Sequence, residues 1–171
     1  MIFQVMSRRK AIEYAYHDNL ETCVIISISN SDDFCPKFAS YSKNNIKDIL
    51  YLNFDDIQPW RGMKYWKKDD GLILDQRINS DGFVYEERIY QLMKQEDADK
   101  IVEFVNKWYD KVDKIIVHCN AGISRSSGVC AAIMKYKTDS DSQIFDNSYY
   151  HPNTHCYNLV LNAFVEREYQ E

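Results

Sequence analysis

Two short, continuous apolar runs constrain the fold of this chain more than any other feature. Residues 23–29 read Cys-Val-Ile-Ile-Ser-Ile-Ser, and residues 114–118 read Lys-Ile-Ile-Val-His. Runs that are brief, β-branched and apolar are typical of buried strands. Residues 2–6 and 49–54 have a similar character and give two further predicted strands.

Helical patterns alternate with these strands. A helix is expected over residues 8–17, with Ser7 placed to cap it, and an amphipathic pattern predicts another over 97–110. A third should begin near Arg125, and a fourth after Asn153, which is a suitable capping residue. Strands that alternate with helices imply the α/β class: a single domain with a central, mostly parallel sheet of four to five strands and helices on both faces.

Composition bounds the class of protein. With 171 residues and 45% hydrophobic residues, the chain suits one domain spanning residues 1–171. A net charge of -5 disfavours a nucleic-acid partner, and no apolar stretch is long enough to predict a membrane span. The five cysteines show no Cys-x2-Cys spacing, which disfavours disulfides and zinc and favours a reducing, cytoplasmic location.

The segment 57–95 is the hardest to interpret, because aromatic residues alternate with charged ones. Residues 79–82, Asn-Ser-Asp-Gly, have the composition of a turn between two extended pieces. Since a structureless loop of this size is uncommon inside a domain, we expect a small hairpin or an ordered flap here.

The stretch that carries chemistry is residues 117–128, Val-His-Cys-Asn-Ala-Gly-Ile-Ser-Arg-Ser-Ser-Gly. It lies at a predicted strand-to-helix junction, where free backbone amides and the positive end of a helix favour anions. Arg125 follows Cys119 by six positions, enough chain to surround a tetrahedral oxyanion, and Gly122 permits the backbone to turn its amides inward. The guanidinium of Arg125 can bind two phosphate oxygens side by side. The predicted anion-binding residues are Asn120, Ala121, Gly122, Ile123, Ser124 and Arg125.

Cys119 lies where the amides, the helix dipole and Arg125 all favour a negative charge, so we expect a reactive thiolate. Such a thiolate can attack phosphorus and form a thiophosphoryl intermediate, which divides one difficult displacement into two easier ones. Ser126 is placed to donate a hydrogen bond to the thiolate when it leaves. We expect His118 to brace the loop from behind.

The pattern His-Cys-x2-Gly-x-Ser-Arg-Ser resembles the signature loop of the dual-specificity and tyrosine phosphatases that use a Cys-x5-Arg motif. The later pair Pro152-Asn153 is similar to that family's Ser-Pro-Asn element, with His151 in place of Ser. The similarity extends over about residues 45–56 and 97–168, and the compact C-terminal part is more like the small bacterial and phage-encoded members. The resemblance implies that Asn153 supports the signature loop and that catalysis needs no cofactor or metal.

The resemblance also implies a general acid, because the family uses an Asp just after a strand. Aligning Leu-Asn-Phe-Asp-Asp at 52–56 with that pattern gives Asp56 this role, and a shift of one residue gives it to Asp55 instead. Asp56 precedes Cys119 by 63 positions, more than in the simplest members, so we interpret 57–95 as an inserted flap. More distant candidates for the acid are Asp69, Asp70, Asp75 and Asp81.

By resemblance, the expected substrate is a phosphoprotein or phosphopeptide carrying phosphotyrosine, with phosphoserine and phosphothreonine as further candidates. Trp60, Tyr65 and Trp66 can wall a pocket deep enough for a tyrosyl phosphate. Two alternatives stay open. One is a phospho-residue binding module with weak or no catalysis, and the other is a non-protein phosphatase that uses the same loop. The uncharged side chains of the loop disfavour a phosphoinositide substrate.

Overall fold

The computed structural model describes residues 1–17, 19–38, 45–58, 65–67 and 71–169. Within them the chain forms seven strands and five helices, in the order β1 Ile2–Ser7, α1 Arg8–Tyr16, β2 Cys23–Ser29, β3 Ile46–Asn53, β4 Tyr65–Lys67, β5 Leu72–Ile78, β6 Val84–Gln91, α2 Gln95–Trp108, β7 Lys114–Cys119, α3 Arg125–Thr138, α4 Ser142–Phe145 and α5 Thr154–Glu168.

In this part of the chain, a four-stranded sheet has the order β1-β7-β2-β3, and each neighbouring pair is parallel. The two apolar runs form its central strands: every residue of β2 and β7 is buried, and Ile25 lies opposite Ile116. Continuous apolar sequence and burial on both faces therefore go together, as in other parallel sheets. The predicted α/β domain with a mostly parallel sheet is confirmed.

Successive residues of β2 contribute to two separate cores. Cys23 and Ile25 pack on one face with Ala11 of α1. Val24, Ile26 and Ile28 point to the opposite face and join the larger core, to which α2, α3 and α5 contribute. Helices therefore cover both faces of the sheet, as predicted, because strand side chains alternate.

The observed elements differ from the predicted ones mainly at their ends. β3 begins at Ile46 rather than 49, because Asp48, a polar residue on this outer strand, is engaged by Lys107 Nζ and Trp108 Nε1 at 2.8 and 3.0 Å. α2 begins two residues early, at Gln95, since the backbone amide of Lys94 donates to Asp97 Oδ2 at 3.0 Å. The single-turn helix α4 was not predicted.

A second, antiparallel sheet with the order β4-β5-β6 lies within the segment 57–95. The predicted turn joins β5 to β6: Asn79 Oδ1 accepts hydrogen bonds from the amides of Asp81 and Phe83, and Gly82 has φ of 84°. At the inner end of this sheet Ile73 is buried, whereas Phe83 at the turn is 71% exposed. That this segment is an insertion relative to the family stays a prediction.

The parallel sheet places four chain segments at one edge. The strands β1, β2, β3 and β7 run in the same direction, so the residues that follow their carboxyl ends meet there, which is where open α/β sheets bind ligands. In the part of the chain that the structure describes, no helix has the length and apolar character needed to cross a membrane.

Candidate active site

Three carbonyl groups of the loop between β7 and α3 accept hydrogen bonds from outside the loop. Asn120 O accepts from the amide of Arg8 at 3.2 Å, Ile123 O from that of His151 at 3.0 Å, and Ser124 O from that of Asn153 at 3.0 Å. Among the described residues, no protein acceptor is found for the amides of residues 120–124. A loop that is held through three of its carbonyls and has unused amides is suited to surround an anion.

Gly122 allows this loop to pack against the junction between β1 and α1. Its φ is 73°, in the left-handed region that residues with a Cβ rarely adopt. A Cβ at this position would lie 2.6 Å from the carbonyl of Met6 and from the amide nitrogen of Ser7. Both the backbone conformation and the close approach therefore require glycine.

Cys119 lies at the end of β7 and is 2% exposed. Its Sγ is 3.1 Å from Ser126 Oγ, and Ser126 is fully buried in the first turn of α3. The N-terminal end of this 14-residue helix carries a partial positive charge. The structure thus brings the predicted nucleophile, its predicted hydroxyl partner and a positive helix end together.

The guanidinium of Arg125 is buried at 3% exposure but only partly satisfied. Its Nη1 donates to Phe54 O at 2.6 Å, while Nε finds no partner in the described part of the chain. A buried cationic donor without a partner is costly, unless an anion completes its hydrogen bonds. One side of the guanidinium is therefore fixed by Phe54 O, just after β3, while Nε keeps a donor that no described residue accepts.

His118 is fully buried behind the loop, with Nε2 2.8 Å from Ser27 Oγ. Burial lowers the pKa of the imidazole to about 4, and the positive charges of Arg8 and Arg125 act in the same direction. A histidine that stays neutral near pH 7 at this place is suited to hold β7 against β2, and its bracing role stays a prediction. The aromatic ring of Phe38 packs edge-on against it at 5.5 Å.

The two adjacent aspartates have different surroundings. The carboxylate of Asp55 is 8% exposed and accepts three hydrogen bonds, from Ser31 N at 3.1 Å, Ser31 Oγ at 2.6 Å and Gln91 N at 2.7 Å. Asp56 is exposed, and its Oδ1 accepts from Ser124 Oγ at 2.7 Å. Asp56 therefore lies beside the loop between β7 and α3, whereas the hydrogen bonds of Asp55 connect its own segment with those of Ser31 and Gln91.

Asn153 connects the segment that follows β3, the loop and α5. Its Oδ1 caps α5 by accepting from the amide of Cys156 at 3.1 Å, as the sequence predicts. Its Nδ2 donates to Asp56 Oδ1 at 3.0 Å and to Ile57 O at 3.2 Å, and its own amide bonds the loop at Ser124 O. Helix α3 packs closely against Asn153, because a Cβ on Gly128 of α3 would lie 2.5 Å from Asn153 O.

The remaining predicted residues lie elsewhere. Asp75 is in β5 and Asp81 in the hairpin turn, both within or next to the second sheet. Asp69, Asp70, Trp60 and the side chains of Tyr65 and Trp66 fall outside the described residues. Three further cysteines are core residues, as expected: Cys23, Cys130 and Cys156. Burial raises the pKa of the Cys130 thiol to about 12, which makes it unreactive.

Two residues near the site were not found by sequence reasoning. Gln58 Oε1 accepts hydrogen bonds from Thr154 N at 3.1 Å and from Thr154 Oγ1 at 2.7 Å. A single glutamine and a single threonine, 96 positions apart, carry no spacing signal that would connect them.

Comparison with solved structures finds the same fold in other proteins. The structure of PTPMT1 is similar over 99% of this chain and 96% of its own, with 14% identity and a TM-score of 0.53. A human tyrosine phosphatase-like serine/threonine/tyrosine-interacting protein is similar over 96% of this chain and 87% of its own, with 17% identity and a TM-score of 0.51. At such identities the likeness shows the fold alone. No curated protein sequence matches the chain.

The family assignment comes from the sequence itself. Residues 40–147, more than half of the chain, match the model of the dual specificity phosphatase catalytic domain. This range contains Asp56, Cys119 and Arg125, together with the whole loop between β7 and α3. The resemblance found in the signature motif is thus confirmed, and the chain belongs to the dual specificity phosphatase family.

Proposed function

We propose that this protein is a cysteine-dependent protein phosphatase that hydrolyses phosphotyrosine, and also phosphoserine and phosphothreonine, through a cysteinyl-phosphate intermediate. The observation that carries the proposal is the buried guanidinium of Arg125, whose Nε has no partner among the described residues. Arg125 directly follows the loop 120–124, whose amides are unused and which begins just after Cys119. A phosphoryl group supplies the acceptor oxygens that these donors lack.

In the first step, the thiolate of Cys119 attacks phosphorus, an S–P bond forms, and the P–O bond to the leaving group breaks. Arg125 and the loop amides stabilise the charge on the equatorial oxygens, which is where most of the catalysis of phosphoryl transfer arises. Asp56 gives its proton to the departing oxygen.

In the second step, Asp56 removes a proton from water, the water oxygen attacks phosphorus, and the S–P bond breaks to release inorganic phosphate. The thiolate leaves with its electron pair, and Ser126 Oγ, 3.1 Å away, donates a hydrogen bond to it. This restores the thiolate and the protonated Asp56, so the cycle consumes only water and the ester.

The position of Asp56 fits the role of the acid better than that of Asp55. Ser124 and Asn153 both donate to Oδ1 of Asp56, which leaves Oδ2 as the oxygen able to carry and deliver the proton. Both oxygens of Asp55 already accept hydrogen bonds in a buried place. Its loss should therefore disturb the structure near β3 rather than the proton transfer.

Two features favour a phosphoprotein over a lipid or another polyanion. The loop side chains of Asn120, Ala121, Ile123 and Ser124 are uncharged, and the chain carries a net charge of -5. At the same edge of the sheet, the ring of Phe34 is 89% exposed, while Arg8 Nη2 donates to its carbonyl at 2.6 Å. An exposed aromatic ring on an anchored loop is available to contact a tyrosyl side chain.

The test is hydrolysis of para-nitrophenyl phosphate as a function of pH, for the wild type, Cys119→Ser, Asp55→Asn and Asp56→Asn. We expect Cys119→Ser to be inactive, and only Asp56→Asn to change the limb of the profile that reports the general acid. Activity that survives Cys119→Ser would rule out the mechanism. A folded wild type that binds a phosphotyrosine peptide without hydrolysing either ester would instead favour a binding module.

A further inference from the structure

The segment that carries the acid is fastened to the N-terminus of α5 by side chains on both partners. Residues Asp56, Ile57 and Gln58 lie just beyond the end of β3, after the two residues Phe54 and Asp55. Asn153 Nδ2 binds the first two, at Asp56 Oδ1 and Ile57 O. Gln58 Oε1 makes the return contact, accepting both the backbone amide and the hydroxyl of Thr154 at 3.1 and 2.7 Å.

These contacts serve the helix as well as the segment. The first amides of an α-helix have no partner within the helix and need outside acceptors. Asn153 Oδ1 provides one for Cys156 N, and Gln58 Oε1 provides another for Thr154 N. The N-terminal cap of α5 therefore includes a side chain from the segment 56–58. Losing the Gln58 contact should weaken both the cap and the attachment of this segment.

We propose that Gln58 is a positioning residue for the general acid: with Thr154 it holds the segment 56–58 on α5, and so keeps the Asp56 carboxyl at the rim of the phosphate loop. The inference rests on the proposed function and on Asp56 as the acid. Gln58 touches no reacting atom and acts through Asp56, two residues before it. Its own side chain is exposed, so truncating it removes a tether while the core stays intact.

A positioning role predicts a loss that depends on the leaving group. An ester with a poor leaving group, phenyl phosphate, needs the proton of Asp56, whereas para-nitrophenyl phosphate departs with much less help. We expect Gln58→Ala to lower kcat/KM for phenyl phosphate by about 10-fold, part of what a general acid contributes, and that for para-nitrophenyl phosphate by less than about 2-fold. Thr154→Val should act in the same direction.

Conservative variants separate the tether from general damage. Gln58→Glu keeps the accepting oxygen, and Thr154→Ser keeps the hydroxyl, so both should retain the wild-type ratio of the two kcat/KM values. Gln143→Ala, a truncation of an exposed glutamine in α4, should leave the ratio unchanged as well. Far-ultraviolet circular dichroism and thermal unfolding confirm that each variant is folded.

Two outcomes overturn the positioning role. One is an equal loss for both esters in Gln58→Ala, which indicates general damage, and the other is no loss for either ester in Gln58→Ala and Thr154→Val. Failure of the proposed function looks different, because a folded wild type then hydrolyses neither ester. If Asp56→Asn shows no selective loss of kcat/KM for phenyl phosphate while Cys119→Ser is inactive, the general acid is another residue. The positioning role proposed for Gln58 is then wrong as well.

Discussion

The two sheets of this molecule are built from different kinds of sequence. In the parallel sheet, β2 and β7 are continuous apolar runs and are buried along their whole length. In the antiparallel sheet, β6 reads Val-Tyr-Glu-Glu-Arg-Ile-Tyr-Gln, and most of its residues are exposed. Among the described side chains, those at the inner end of that sheet, around Ile73, reach a small separate core.

This difference indicates that the parallel sheet, rather than the antiparallel one, determines the fold and positions the reactive groups. The central strands of the parallel sheet leave little freedom for register or direction, so the loops at their carboxyl ends are held in place and can position reactive groups. The antiparallel sheet is organised by its hairpin turn, and its surface carries ion pairs such as Arg77 Nη1 with Glu86 Oε2 at 3.3 Å. Such pairs add little stability.

The largest contrast is expected in stability. Ile26 is fully buried in β2, and Ile89 in β6 is 57% exposed. Ile26→Ala should lower the free energy of unfolding by about 2–5 kcal/mol, because it removes buried methyl groups and leaves a cavity, whereas Ile89→Ala should change it by less than about 0.5 kcal/mol. Urea unfolding measures both, and equal losses would contradict the contrast between the sheets.

A matched pair of arginines tests the contrast in function. Arg125→Lys replaces a planar fork by a point charge in the anion-binding loop, so kcat/KM for para-nitrophenyl phosphate should fall by about 10²–10³-fold. Arg77→Lys, in β5, should leave it within about 2-fold. Steady-state kinetics on the two variants provides the measurement, and a similar loss in both would show that the second sheet takes part in catalysis.

The dependence of stability on pH should also originate in the parallel sheet. Burial holds the pKa of His118 at about 4, below its ordinary value of 6.5, and residues 71–91 contain no histidine. As the pH falls from 6.5 through 4, the unfolded chain binds a proton that the folded chain refuses, so stability decreases in this window and is unaffected by this group above it.

Between about pH 7 and about pH 5, His118 should therefore reduce the free energy of unfolding by about 2 kcal/mol. Urea unfolding of the wild type beside His118→Gln isolates this contribution, since the variant should lose less stability over the same range. An NMR titration of the imidazole gives a second measurement. A His118 signal that titrates near its ordinary value would remove the basis of the prediction.

Much of the parallel sheet and of the helices around it was predictable, because the sequence patterns that indicate them are local and agree with one another. The apolar run 23–29 corresponds to β2 with the same bounds, and both Ser7 and Asn153 cap helices as predicted. The loop from Cys119 to Arg125 combines a motif, a strand end and a helix start, so one stretch of sequence gives three agreeing indications.

What was missed depends on contacts between distant parts of the chain. β3 begins earlier than predicted because Asp48 is satisfied by two residues of α2. Sequence alone left Asp55 and Asp56 as rivals, since their difference arises from Ser31 and Gln91 on one side and from Ser124 on the other. The assignment of Asp56 as the acid stays a prediction.

Trapping the covalent intermediate shows directly whether Cys119 is the nucleophile. The wild type and Cys119→Ser are mixed with para-nitrophenyl phosphate, quenched in acid, digested and analysed by peptide mass spectrometry. In the wild type we expect one phosphoryl group on the peptide that contains Cys119, attached to Cys119 itself, and in the variant we expect none. Turnover without a label on Cys119, or a label on another residue, would contradict this expectation.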